Sequence, residues 1–269
     1  MTFDLYPPRL ELRACEPIHF PPGKAGNLLR GALGTVLDAR LFRPVAEAGP
    51  SGLKDPPRPY AFRVSWLDGV TIPAGKHFFL GVNIFDTRPE TLNLFLDAFE
   101  NLASAGIGPG RGKAKLLRCT GSEILRLDLE AWPKTVSRIR ISFVTPTALK
   151  TSGSLSASPD FAVLFARARD RVSTLRALYG EGPLEIDFRD MGKRAGAVRI
   201  TRCELGHRRA ERRSTGTGQV HPMGGFTGEV EYEGDLAEFL PVLRAAQWTG
   251  VGRHTAWGNG EIAVHVTGT

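Results

Sequence analysis

The chain has 269 residues, more than the ~100 to 200 of one average domain, and its 42% hydrophobic fraction is enough for two cores. With 23% charged residues and no low-complexity tract it is globular, which excludes a disordered or fibrous chain. A formal charge of +7 favours an anionic partner, either nucleic acid or a membrane surface. No apolar run reaches the ~18 to 20 residues of a membrane span and the N-terminus lacks a signal-peptide pattern, so a cytoplasmic protein without membrane attachment is expected.

In chain order, Leu28, Leu29, Ala32, Leu33, Val36 and Leu37 recur at helical spacing, predicting a first helix from about Gly26 to Leu41, entered through Pro21 and Pro22. Phe78 to Phe85 reads as a buried strand, and Pro89 to Ala105 as a second helix with Leu92, Phe95, Phe99 and Leu102 on one face. A loop with Gly106, Gly108, Gly110 and Gly112 leads into a strand through Leu116 and Leu117. Near Trp132 and Pro133 the pattern restarts, Ile139, Ile141 and Phe143 alternating with Arg138, Arg140 and Ser142 as a half-buried strand does. A third helix carries Phe161, Leu164, Phe165, Ala168, Val172 and Leu175, with strands around Val198 and from Phe226 to Tyr232. A fourth helix shows Leu236, Phe239, Leu240 and Leu243, and a second glycine loop then runs into a strand from Glu261 to Val266. This order predicts an α+β chain of two β-α-β-β-α-β units, a duplicated ferredoxin-like fold with each antiparallel sheet carrying its helices on one face. The expected domains are residues 1–131 and 132–269, the second holding the C-terminal glycine-rich loop.

Cys15, Cys119 and Cys203 are far apart and form no CxxC pair, and no HExxH spacing is present. Reduced thiols, no metal site and no cofactor are expected. The glycine loops are not dinucleotide sites, because both run from helix to strand and no helix N-terminus follows to face a phosphate. They either cap a helix and turn the chain, or lay backbone N–H groups against a phosphate backbone, with Arg111 and Lys113 beside the first and Arg253 and His254 inside the second. Trp257 offers a flat face for an unstacked base, or a core anchor. The remaining charge concentrates from Lys193 to Arg213, including Arg208, Arg209, Arg212 and Arg213; it is a solvated face or a phosphate-binding strand and loop, flexible through Ser214 to Gly218. Arg167, Arg169, Arg171 and Arg176 on the third helix point the same way.

The run Met223-Gly224-Gly225-Phe226-Thr227-Gly228-Glu229-Val230, then Tyr232-Glu233-Gly234-Asp235-Leu236, Phe239-Leu240, and the loop from Gly250 through Gly252, Arg253, His254, Thr255, Trp257 and Gly258 to Gly260 resemble the CRISPR repeat-processing endoribonucleases of the RAMP superfamily. Gly26 with Arg30-Gly31-Ala32-Leu33-Gly34, Pro57-Arg58-Pro59-Tyr60, and Phe143 to Lys150 agree in outline. The resemblance implies two RAMP (RRM-like) ferredoxin domains, repeat RNA across the cleft between them, and the C-terminal glycine loop at the site. It also implies metal-independent cleavage of pre-crRNA by 2′-hydroxyl attack, leaving a 2′,3′-cyclic phosphate and a 5′-hydroxyl. Family members often carry a catalytic histidine on or beside the first helix, whereas Lys24 to Arg43 contains none.

Candidate catalytic residues are therefore His254 as acid or base with Arg253 as the stabilising cation, and secondly His19 with Lys24. Candidate RNA contacts are Gly250, Gly252, Thr255, Trp257, Gly258, Gly260, Arg208, Arg209, Arg212, Arg213, His221, Arg111 and Lys113. His77, His207 and His265 read as packed or surface residues. Expected partners are CRISPR repeat RNA and other Cas proteins of an effector complex, with homodimerisation left open. Two other readings stand beside this one: a non-catalytic RNA-binding RAMP subunit of such a complex, and an oligomeric metabolic protein whose basic face binds an anionic metabolite.

Overall fold

The computed structural model describes residues 1–42, 56–151, 154–156, 158–208, 211–213 and 220–269. The first half contains β1 (Arg9–Ala14), α1 (Ala25–Leu33), β2 (Tyr60–Arg63), β3 (His77–Ile84), α2 (Pro89–Ala105) and β4 (Ala114–Thr120). The second repeats the order with β5 (Arg138–Thr147), α3 (Phe161–Tyr179), an added α4 (Phe188–Ala195), β6 (Arg199–Arg208), β7 (Gly225–Glu233), α5 (Leu240–Thr249) and β8 (Ile262–Gly268). Each half forms a four-stranded sheet, β2-β3-β1-β4 and β6-β7-β5-β8, antiparallel throughout. The two orders are identical, as two ferredoxin-like units require.

Local sequence accounts for most boundaries. Pro89 stands at the start of α2, where its missing N–H costs nothing, and Glu90 complements the helix dipole. Leu92, Phe95, Phe99 and Leu102 are buried along one face, and Gly106 ends the helix at a φ of 101°. In β5, Ile139, Ile141 and Phe143 point into the second core while Arg138 and Val144 stay exposed. A fully buried Phe or Leu contributes ~1.5 to 3 kcal/mol, so these faces fix the register of both sheets.

Two expectations need correction, and one strand was not anticipated. The first helix does not run to Leu41: it ends at Leu33, Gly34 turns the chain, and a separate short helix covers Ala39–Phe42. The fourth helix begins at Leu240, with Leu236 and Phe239 buried in the turn ahead of it. Thr2–Leu5 forms a strand paired with Leu125–Asp128, which no local pattern announced. Phe3 and Leu5 of that strand, with Ala61 and Phe85, belong to the core of the second half, so the two halves share apolar contacts well beyond the linker.

Asp86 links β3 to α2. Its carboxylate is buried and accepts hydrogen bonds from the Arg88 Nε at 2.8 Å and the Arg88 backbone N–H at 3.3 Å. Burial alone would raise its pKa, but the bonds from Arg88 outweigh it and hold the group below its ordinary value. Asp86→Asn is expected to cost about 2 kcal/mol at pH 7, the scale of a hydrogen bond to a charged group. A lowered folded-state pKa lends stability above the unfolded carboxyl value of ~4, and that stability is lost as pH falls through the folded value. Urea titrations should therefore show the gap between wild type and variant closing below about pH 4; a gap that stays flat to acid pH would put the effect elsewhere.

Candidate nucleic-acid interface

The C-terminal glycine loop is folded by backbone contacts that tolerate no side chain at several points. Gly250 ends α5 at a φ of 74° and donates to the Ala246 carbonyl at 2.8 Å. Val251 N–H donates to the Gly260 carbonyl at 2.8 Å, closing the loop, and a Cβ on Gly260 would lie 1.9 Å from the Val251 oxygen. Gly252 also crosses close to the Ala148 carbonyl, at 2.4 Å for an added Cβ. His254 adopts a left-handed φ of 62° just before a 3-10 turn, Thr255–Trp257.

This loop is wedged between the halves. On one side the Thr145 hydroxyl donates to the Gly258 carbonyl at 2.8 Å and the Asn259 side chain donates to the Met223 carbonyl at 2.9 Å. On the other, α1 presses against the turn: a Cβ on Gly26 would lie 1.8 Å from the Trp257 carbonyl oxygen. The Arg30 guanidinium lies over the Trp257 ring at 4.0 Å, so one indole face is covered by protein and is not open to a base. The other end of the loop is fixed at the last turn of α5. Arg63 Nη2 donates to the carbonyls of Gln247 (3.0 Å) and Trp248 (2.7 Å), the Asn83 amide to Trp248 (2.7 Å), and Arg171 Nε to Thr249 (2.8 Å). These donors meet the negative end of the helix dipole. Loss of water, and then the nearby Arg63 charge, push the Arg171 pKa down to about 9.

Beside the loop lies a cleft of about 800 Å³ between the two halves. The first half supplies Lys24, Gly26 and Asn27 at the start of α1, and Ser65 and Asp68 from the turn after β2. The second supplies Val144 and Thr145 of β5, Arg208 at the end of β6, Met223, and Trp257 to Asn259 of the loop. Asp68 accepts the Ala25 N–H at 2.8 Å and so holds the first turn of α1 against this wall. One cation from each half thus meets polar backbone and amide groups in a concave site, an arrangement suited to a phosphodiester.

The structure brings some of the sequence candidates together and separates others. Lys24, Arg208, Trp257 and Gly258 line the cleft. Arg253 is exposed and His254 half-buried, its ring edge-on to Trp257 with centroids 5.4 Å apart, and neither belongs to the cleft lining. Gly250, Gly252, Thr255 and Gly260 shape the loop from within. His19 is exposed on a strand, Ile18–His19, with its Nδ1 2.8 Å from the Thr71 hydroxyl. The first glycine loop does not mirror the second: Gly108 and Gly112 allow close packing on the carbonyls of His19 and Pro17, and Arg111 and Lys113 point to solvent away from the cleft. Arg212, Arg213 and His221 fall on a hairpin, Glu211–Arg213 with Val220–Pro222, and their side chains lie outside the described residues, as do Arg209 and Ser214 to Gly218.

The third-helix arginines do not form a phosphate-binding face. Arg169 and Arg176 are buried and donate to the carbonyls of Phe188 and Pro183, while Arg171 caps α5. In the Lys193–Arg213 stretch, Lys193, Arg194, Arg199 and Arg202 all pair with carboxylates, and among the described side chains of that run Arg208 reaches the cleft. His77, His207 and His265 are exposed. Sequence reasoning missed Asn27, Ser65, Asp68 and Asn259, ordinary polar residues that only the fold assembles, and Arg30, whose helical spacing reads simply as a polar face. No cluster of three or more potential metal ligands occurs among the described residues, and none of their helices is long and apolar enough to cross a membrane.

Residues 141–262 match the family model of the CRISPR-associated endoribonuclease Cas6. No curated protein sequence matches the chain. Among solved structures it is similar to the Cas6 of Thermus thermophilus, with 19% identity, 98% of this chain and 99% of that one covered, and a TM-score of 0.59. It is similar also to a Cas6 product complex (17% identity, 98% and 100% covered, TM-score 0.56) and to a partial Cas6-RT-Cas1–Cas2 complex (12% identity, 98% and 46% covered, TM-score 0.60). At these identities the likeness establishes the fold. The second half thus carries the match to the Cas6 endoribonuclease family model, and the chain shares the fold of solved Cas6 structures along its whole length.

Proposed function

We propose that the protein binds CRISPR repeat RNA across the cleft between its halves and cleaves it without a metal ion. The observation that carries this reading is the cleft itself, with Lys24 of one half and Arg208 of the other beside the glycine loop. In the reaction the RNA 2′-hydroxyl loses its proton and attacks the adjacent phosphorus, and the bond to the leaving 5′-oxygen breaks as that oxygen gains a proton. A 2′,3′-cyclic phosphate and a 5′-hydroxyl remain. Lys24 and Arg208 steady the added negative charge of the phosphorane, and donors fixed in advance are worth more than donors that must reorganise. His254 is the group proposed to exchange protons, since imidazole has both forms near neutrality and its edge contact with Trp257 couples it to the cleft. One similar structure is named as a complex with Cas1 and Cas2, which supports other Cas proteins as partners.

The test uses repeat RNA from the protein's own genome, in EDTA, beside a copy with a 2′-deoxy at the scissile position. Cleavage of the first and survival of the second is the expected result, and activity that disappears with EDTA would refute the metal-free route. A second reading, RNA binding without cleavage, is favoured by one observation: no histidine lines the cleft among the described residues. It predicts tight binding of both RNAs and cleavage of neither.

A further inference from the structure

We infer that the open face of the first sheet is a second RNA site, which takes unpaired nucleotides of the RNA held in the cleft by stacking a base on Trp66. The inference rests on the cleft reading above and extends the path of the same RNA. In the first sheet, Leu10, Leu12, Phe78, Leu80 and Val82 point to the core. The opposite face carries Arg9, Glu11 and Arg13 of β1, with Phe79 and His77 across the register on β3 and Arg118 and Lys115 on β4. Trp66, in the 3-10 turn Ser65–Leu67 after β2, lies over this face and is 47% exposed, an unusual position for the largest apolar side chain.

Its placement is built. The indole Nε1–H donates to the Phe79 carbonyl at 3.1 Å, and the ring passes so near Gly81 that a Cβ there would meet it at 3.2 Å. The Arg9 guanidinium stands between the two rings, 4.4 Å from the Phe79 centroid and 5.9 Å from that of Trp66. A fixed aromatic plane beside a guanidinium is what an unstacked base and its phosphate require.

Charge and continuity select the occupant. Glu11 is shared by His77 and Arg118, whereas Arg9, Arg13 and Lys115 enter no ion pair among the described residues. The corresponding face of the second sheet is neutralised instead: Arg138 and Arg199 pair with Glu233, and Arg202 with Glu204. The first face therefore suits a polyanion. Ser65 lines the cleft and the next residue is Trp66, so one short turn joins the two surfaces. A strand leaving the cleft over this turn meets the indole first.

The experiment compares Trp66→Ala and Trp66→Phe with wild type, in binding to the repeat RNA and to copies shortened stepwise from each end. Trp66→Ala is expected to weaken binding of the full repeat about tenfold, the worth of roughly one base stack, with Trp66→Phe recovering most of it. Shortening from one end should erase the difference, and single-turnover cleavage of bound RNA should keep its rate. Equal affinity of Trp66→Ala and wild type for the full repeat, or an equal loss on every shortened copy, would overturn the inference. If Trp66→Ala melts well below wild type, Arg9→Gln carries the test with the same pattern expected. Wild type that binds none of these RNAs would instead overturn the cleft reading.

Discussion

Gly26→Ala is expected to abolish measurable cleavage while leaving a folded protein. The Cβ would sit 1.8 Å from the Trp257 carbonyl oxygen, a backbone atom held by the 3-10 turn and by the loop contacts around it. Neither side yields cheaply: α1 is anchored through Leu29 and Leu33, and the loop through Val251, Gly258 and Gly260. Separation to ordinary contact requires a shift of more than an ångström, and overpacking of this kind costs about 1 to 3 kcal/mol in stability. The larger effect is on geometry, because a displacement of about 1 Å between catalytic groups can cost a hundredfold in rate. A melting curve a few degrees below wild type with at least a hundredfold slower single-turnover cleavage is the expected pair of readings. Cleavage near the wild-type rate would show that the contact between α1 and the loop does not shape the active cleft.

Lys24→Ala should have the next largest effect. Its ammonium is the cation of the first half in the cleft, and removing one preorganised donor to a developing oxyanion costs roughly a hundred- to a thousandfold in turnover. RNA affinity should fall much less, with the slope of log Kd against log salt dropping by about one as one phosphate contact is lost. A rate within a few-fold of wild type would remove Lys24 from the reaction. His254→Ala measured alongside separates charge stabilisation from proton transfer. A larger loss on His254→Ala, with an altered pH profile, supports the imidazole as the exchanging group. Full activity on that variant leaves His254 with only its turn-forming role.

The duplicated α+β plan was readable because each half repeats strong periodic signals. The span of α2 matched Pro89–Ala105, since a leading proline, Phe95 with Phe99, and a closing glycine all agree. The first helix was overdrawn because Val36 and Leu37 keep helical spacing beyond Gly34, where the chain turns. The strand Arg9–Ala14 carries a clear alternation of buried and exposed residues, whereas Thr2–Leu5 is fixed by a partner more than a hundred residues away. At the site, the glycine loop and the basic run were visible as compositions. What composition could not convey was direction. Arg171 and Arg169 look like Arg167 in sequence but turn inward to carbonyls, and the glycines of the first loop serve close packing on the segment from Pro17 to His19. Trp66 comes from a 3-10 turn and Arg9 from a strand more than fifty residues earlier, so no linear pattern marks their meeting.

The seam at the end of α5 bears on how an RNA must enter. Its three terminal carbonyls are held by Arg63 and Asn83 from one half and Arg171 from the other. Opening the halves like a jaw would part Arg63 and Asn83 from the Gln247 and Trp248 carbonyls and strand them in a poorly hydrated gap, at a cost of about 1 to 3 kcal/mol for each group left unmatched. The seam therefore resists widening of the mouth, so that on the function proposed above the RNA, rather than the protein, has to adapt to the width of the cleft.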